Sequence, residues 1–220
     1  MFNRFSGLPA VLYFLFFIKE WKSSKAIIFY IVFISFGFDF GNYIFIKYFY
    51  PNSYLGGNWW VILNYFLMSW CFMKILPEKI KLIKFLIALF VVLTVPSFIF
   101  FYSFYEHNVI TTTFSGVAFI TFSVLGYLKL LNNSTVPLSK TPSFYLITAF
   151  FGYYSFTFLK NLFVKYLVFD LGITAEQYAP ISAINLLANT SKNYLLFYVL
   201  VLLHMDRYDP LLNPSKDFEQ

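Results

Sequence analysis

A single cysteine, Cys71, stands in the 220 residues. It excludes an intramolecular disulfide and any multi-Cys zinc site, and its place in an apolar run reads as a small buried hydrophobe. Charge is scarce as well. Asp, Glu, Lys and Arg make up 12% of the chain, about half of what a soluble domain carries. The two histidines, His107 and His204, fall at opposite ends of the apolar segments, so they cannot share a metal. No phosphate loop, internal repeat or low-complexity stretch occurs, and no break between apolar runs is long enough for a soluble domain. Intramembrane hydrolysis needs paired Asp, or Ser with His, and neither pairing is offered. These absences describe a non-enzyme that holds no metal and no cofactor.

What fills the chain is apolar and aromatic. Hydrophobic residues are 60% and aromatic residues 25% of it, with 32 Phe and 18 Tyr, and mean hydropathy is +0.68. The apolar residues come in runs near 5–20, 26–46, 58–75, 81–103, 110–131, 143–166 and 181–203, each about the length that crosses a bilayer as a helix. The breaks carry turn and charge signals, such as Pro51-Asn52-Ser53, Pro77-Glu78-Lys79 and Glu106-His107-Asn108. The first run closes on Lys19, Glu20, Trp21 and Lys22 like an interface anchor, and no small-residue cleavage site follows it, which argues for an uncleaved helix. The expected fold is all-α: an integral membrane bundle of seven transmembrane helices over 1–208, with a short polar cytoplasmic tail at 209–220.

The formal net charge of +6 is spread over several loops rather than clustered, so membrane lipids, and not nucleic acid, are the expected polyanionic neighbour. Its distribution sets the orientation. With the N-terminus outside, eleven of the sixteen Lys and Arg residues fall on the inner side and three on the outer, which is the positive-inside pattern. The expected topology is N-out, C-in, multi-pass, in a bacterial inner (cytoplasmic) membrane.

Two lysines, Lys160 and Lys192, interrupt apolar helices, and Asp39 is the acid available to them. An ammonium in hydrocarbon costs at least about 3 kcal/mol, so such residues turn to a bundle interior or a wet cavity and find a partner. At 1.5 Å per residue, Asp39 lies roughly 20 Å above the inner boundary and Lys192 roughly 16 Å below the outer one. Asn185, Asn189 and Lys192 follow i, i+4, i+7 and share a helix face, as do Asp39 and Asn42. Asn64 and Lys160 join them in the outer half. The expected ligand site is a pocket open to the outside, built on Asp39, Lys192, Asn185, Asn189, Asn42, Asn64 and Lys160. Tyr153, Tyr154, Trp59, Trp60 and Tyr65 are placed to line or lid it. Competing readings stay open: a purely structural Asp39–Lys192 pair, a Lys160 that snorkels to the outer boundary, and Asn and Thr that only bridge helices. A retinal Schiff base at Lys192 is disfavoured, because Ala188 and Asn189 occupy the turn where a second acid is wanted.

The last spans resemble a family of small seven-helix membrane proteins of Bacteroidetes that accompany sensor histidine kinases. The residues carrying the resemblance are Pro142, Phe144, Tyr145 and Tyr153-Tyr154-Ser155-Phe156, then Asn189 and Tyr194, together with GNWWVILNYFLMSW earlier in the chain. Asn185 stands where the family tends to have His, and Met68 or Ser69 where it has an acid. The resemblance implies sensing or partner-dependent signalling rather than catalysis. The expected function is therefore a non-enzymatic sensory or regulatory module acting through a protein partner, a signalling kinase or a membrane complex. The alternatives are a structural or accessory subunit of such a complex and, more remotely, a small-solute transporter.

Overall fold

The computed structural model of the chain describes residues 7–16, 33, 53–103, 106–133, 137–164, 172, 174–205, 209 and 211. These residues form six α-helices and no strand. They are α1 (Leu8–Phe16), α2 (Ser53–Ile75), α3 (Ile80–Pro96), α4 (Val109–Asn133), α5 (Pro142–Val164) and α6 (Ala175–His204). Of the apolar run 26–46 only Phe33 is among them, so Asp39 and Asn42 lie outside the described residues.

Among the described residues, three helical stretches are long and apolar enough to cross a membrane: Pro77–Phe101, Val109–Asn133 and Ala179–His204. This is fewer than the seven expected. Helices α2 and α5 reach 23 residues each, about 34 Å, but Asn58, Asn64, Tyr153, Tyr154, Lys160 and Asn161 dilute their hydropathy.

Each boundary has a local cause. Pro77 opens the 3-10 turn Pro77–Lys79 that leads into α3, where its missing N–H is no loss. Pro96 ends α3, because its ring cannot donate to the preceding turn. The backbone then widens into a π turn over Ser97–Phe101, closed by the Tyr102 amide donating to the Ser97 carbonyl at 2.9 Å. At the start of α4, Asn108 accepts the Thr111 amide at 3.0 Å on Oδ1. This is the N-cap geometry, worth about 1 kcal/mol.

The bundle turns polarity in the way lipid demands. Along α2 the outward positions Trp59, Leu63, Phe66 and Trp70 follow i, i+4, i+7, i+11 and are exposed, while Asn58, Asn64, Tyr65, Met68, Ser69 and Phe72 are buried. Along α3 and the π turn after it, Phe85, Val92, Val95 and Ile99 are exposed, each 51% or more, an apolar wall too large for water and suited to acyl chains. Inside, aromatic rings hold four helices together. Tyr65 of α2 stacks on Phe90 of α3 at 3.8 Å, Phe119 of α4 meets Tyr154 of α5 at 4.3 Å, and Phe72 reaches Phe122 and Phe150 at 5.4 and 5.9 Å. Each such pair adds about 1 kcal/mol beyond its buried area.

Helix α5 is central, packed along both α4 and α6. The α4–α5 approach is close at Gly126: a Cβ there would lie 2.9 Å from Ile147 Cδ1, so that side chain would have to move. Small residues at such crossings are how helices draw together in lipid, where apolar burial alone gives no drive. Helix α1 rests on α6 through Tyr13, whose ring meets Phe197 and His204 edge-on at 5.7 Å each.

Candidate functional site

Polar side chains occupy the interior at three levels, and each is held by helices already fixed by the aromatic core. At mid-height lies the α5–α6 seam. Lys192 sits 12 residues from the end of α6, about 18 Å, and its side chain is only 5% exposed. Among its contacts, the ammonium lies over the face of Tyr153, 4.3 Å from the ring centroid. A desolvated cation–π contact contributes about 2 kcal/mol, which offsets most of the about 3 kcal/mol that an intramembrane lysine costs. One turn further along α5 and two turns back along α6, the Thr157 hydroxyl donates to Asn185 Oδ1 at 3.2 Å. Asn189, between Asn185 and Lys192 on the same face, is half-buried and also engaged. The shared face expected for Asn185, Asn189 and Lys192 is therefore the face that α6 turns to α5.

Asn64 belongs to a different seam. Its amide donates to the Tyr154 hydroxyl at 2.5 Å, joining α2 to α5. The consecutive residues Tyr153 and Tyr154 thus serve two partners, one the cation on α6 and the other the amide on α2. Their rings touch edge-on at 5.1 Å, so the Asn64 and Lys192 sites are contiguous through α5. Trp59 and Tyr65 take no part in lining Lys192. Trp59 is 54% exposed on the outward stripe, and the Tyr65 hydroxyl donates to the Leu86 carbonyl of α3 at 3.1 Å.

The second level is the junction of α2, α3 and α4 at the end where α4 begins. Asn58 Nδ2 donates to the Glu106 carbonyl at 2.8 Å, and Asn58 Oδ1 accepts the Asn108 amide at 3.5 Å. Asn108 Nδ2 donates to Ser97 Oγ at 2.6 Å, and that hydroxyl donates in turn to the Thr94 carbonyl at 2.8 Å. The Thr94 carbonyl, which also accepts the Ser97 amide at the end of α3, is tied to α4 through this hydroxyl. His107 lies in this loop. Burial, and then the charge of Lys160 on α5, push its pKa below the usual histidine value. Lys160 is half-buried and its charge is felt at loop level, in keeping with a snorkelling lysine. Next to it, Asn161 is buried with an oxygen that has no partner among the described residues.

The third level is the opposite end. Asp209, assigned from sequence to the polar tail, is fully buried. Its Oδ2 accepts the Ser143 amide at 2.6 Å, and Oδ1 accepts both the Ser143 hydroxyl and the Leu211 amide, the latter at 2.9 Å. A carboxylate at the first turn of α5 satisfies orphan amides and opposes the helix dipole favourably. Leu211 is buried beside it. The bundle thus includes at least these two residues of the stretch 209–220.

Among the described residues no three His, Cys, Asp or Glu side chains come together to hold a metal. The arrangement offers a buried cation, amides and phenol hydroxyls, a chemistry suited to recognising or stabilising polar groups. Sequence reading missed Asn58, Asn108, Asn193 and Asp209 as buried polar positions. Asn108, standing immediately before the helical stretch VITTT, carried an N-cap signal that would have found it. Compared with protein-family models, curated proteins and solved structures, the chain matches none.

Proposed function

We propose that this chain is a non-enzymatic sensory or regulatory membrane module, seven-spanning and N-out/C-in in a bacterial inner membrane, with Lys192 as its responsive centre. The observation that carries the reading is the Lys192 ammonium, 5% exposed and 4.3 Å from the Tyr153 ring, at mid-height between α5 and α6. A cation held in the interior of a membrane bundle is sensitive to any anion or acid brought near it. Asp39, in the apolar run 26–46, is the intramembrane acid proposed to balance it. A ligand or charge change here alters the preferred separation of α5 and α6, and a partner protein reads that shift. The energy comes from differential affinity for two packings. The pairing of Tyr153-Tyr154 with Lys192 and Asn64 lets one helix transmit the change to α2.

Substituting Lys192→Met tests this reading. The sensory role expects normal membrane accumulation of the variant with an altered set or amount of co-purifying partner protein. An accessory-subunit role, in which the cation only holds helices together, expects poor accumulation that Asp39→Asn partly restores. Normal accumulation together with an unchanged partner profile removes the sensory reading.

A further inference from the structure

A second polar site lies where α3 begins and α4 ends, remote from Lys192. An open groove of about 430 Å³ is lined there by Glu78, Lys79, Leu125, Leu128, Lys129 and Asn132 among its residues. Its floor is built. Lys129 Nζ donates to the Ile75 carbonyl at 3.0 Å and to Glu78 Oε2 at 2.9 Å, so the ammonium closes the end of α2 and is aimed by Glu78. An ammonium has three donors, and among the described residues the third is unspent. Lys79 is exposed at the rim, as is Asn132. The lining carries two cations and one acid, a net charge of one positive unit. Away from this polar end the wall becomes Leu125 and Leu128, the latter 52% exposed on a helix apolar enough to cross a membrane.

A cationic notch that grades into exposed leucine along a membrane-capable helix matches one amphiphile: a single negative charge at the headgroup and an acyl chain below it. We propose that this groove binds an anionic glycerophospholipid, its phosphodiester on Lys79, the free donor of Lys129 and the Asn132 amide, and one acyl chain along Leu125 and Leu128. A zwitterionic lipid leaves the unit charge of the groove uncompensated. A small anion leaves the leucines unused. The proposal rests on the membrane reading of α3 and α4 but not on the sensory role of Lys192.

The test uses the full chain purified in detergent and native mass spectrometry with phosphatidylglycerol, phosphatidylcholine or inorganic phosphate added. Phosphatidylglycerol is expected to bind in preference to phosphatidylcholine and to resist displacement by inorganic phosphate. A lysine near a lipid headgroup contributes about 1 kcal/mol, so Lys79→Gln is expected to weaken phosphatidylglycerol binding about fivefold. Lys84→Gln removes the same charge at an exposed position outside the groove and is expected to leave binding unchanged. Equal binding of the two lipids, equal losses in the two variants, or displacement by phosphate alone each overturns the proposal, the last by showing a small-anion site. Failure of any of these with normal membrane accumulation leaves the Lys192 reading standing.

Discussion

Replacing Asp209 by Ala removes an acceptor that serves three donors at once: the Ser143 amide, the Ser143 hydroxyl and the Leu211 amide. The hydroxyl can turn to another acceptor, but the two amides cannot, and a buried amide left without a partner costs about 1–3 kcal/mol. The favourable interaction of the carboxylate with the α5 dipole, about 1 kcal/mol, goes too. Relief of the desolvation of a buried anion works in the other direction. The balance is a loss of about 3–5 kcal/mol for Asp209→Ala. Asp209→Asn, which keeps one acceptor oxygen but turns an NH2 toward a donor, is expected to lose about 2 kcal/mol. For a chain of this size each kcal/mol lowers the unfolding midpoint by about 2–4 °C, so the alanine variant should melt roughly 6–20 °C earlier. The chain supplies its own reporter. Cys71 is its sole cysteine and is 1% exposed, so a thiol-reactive dye added in detergent brightens only as the bundle opens. Ser143→Ala, which spares both amides, should cost about 1 kcal/mol, and its effect should largely disappear in the Asp209→Ala background because the two share one network. A shift under about 2 °C for Asp209→Ala refutes the reasoning and means that water replaces the carboxylate at this helix end.

Three further outcomes are expected. Tyr153→Phe keeps the ring face under Lys192 and should lower the unfolding midpoint less than Tyr153→Leu does. Tyr153→Leu removes that face and should cost about 2 kcal/mol, so equal behaviour of the two variants dismisses the cation–π contact. Asn108→Ala deletes the α4 cap and the tie to Ser97 and should cost about 2–3 kcal/mol by chemical or thermal unfolding, whereas a neutral result shows that the junction rearranges around it. His107 has a folded-state pKa depressed below its ordinary 6.5 by burial and by Lys160. The unfolded chain therefore binds that proton first, so stability is level above about pH 6.5 and falls as pH drops below it. Calorimetry between pH 8 and 5 should show this decline and a shallower one in Lys160→Gln, where burial still acts, while an unchanged slope rejects the coupling.

The helices from residue 53 onward were largely legible, because runs of apolar residues and their Pro, Asn and Lys punctuation set boundaries close to those observed. The run read as 58–75 begins at Ser53 and still ends at Ile75, and that read as 143–166 becomes Pro142–Val164. The face shared by Asn185, Asn189 and Lys192 was legible from 3.6-residue periodicity, and Tyr153 was among the aromatics expected near it. The partners of most other polar groups were not. Asn58 meets Asn108 across 50 residues, Lys129 meets Glu78 across 51, and Ser143 meets Asp209 across 66. Periodicity says which way a side chain faces on its own helix and nothing about which helix end comes to rest against it. Asp209 was hidden further by its context, since an acid beside Pro210 in a polar stretch carries the composition of a solvated tail.

The outward stripe of α2 turns the chain into its own depth gauge. Trp59 and Trp70, 54% and 39% exposed on one face, are eleven residues apart and so about 16 Å apart along the helix axis. That is half the thickness of a hydrocarbon core. With Trp21 and Trp60 changed to Phe, and each remaining indole then removed in turn, quenching by lipids brominated at different positions along the acyl chain reads the height of each end of α2 separately. The difference between the two heights is the tilt of that helix. The same measurement repeated in the Lys192→Met and Tyr153→Leu backgrounds would report, in ångströms, whether a change in the α5–α6 seam moves the helix on the far side of Tyr154.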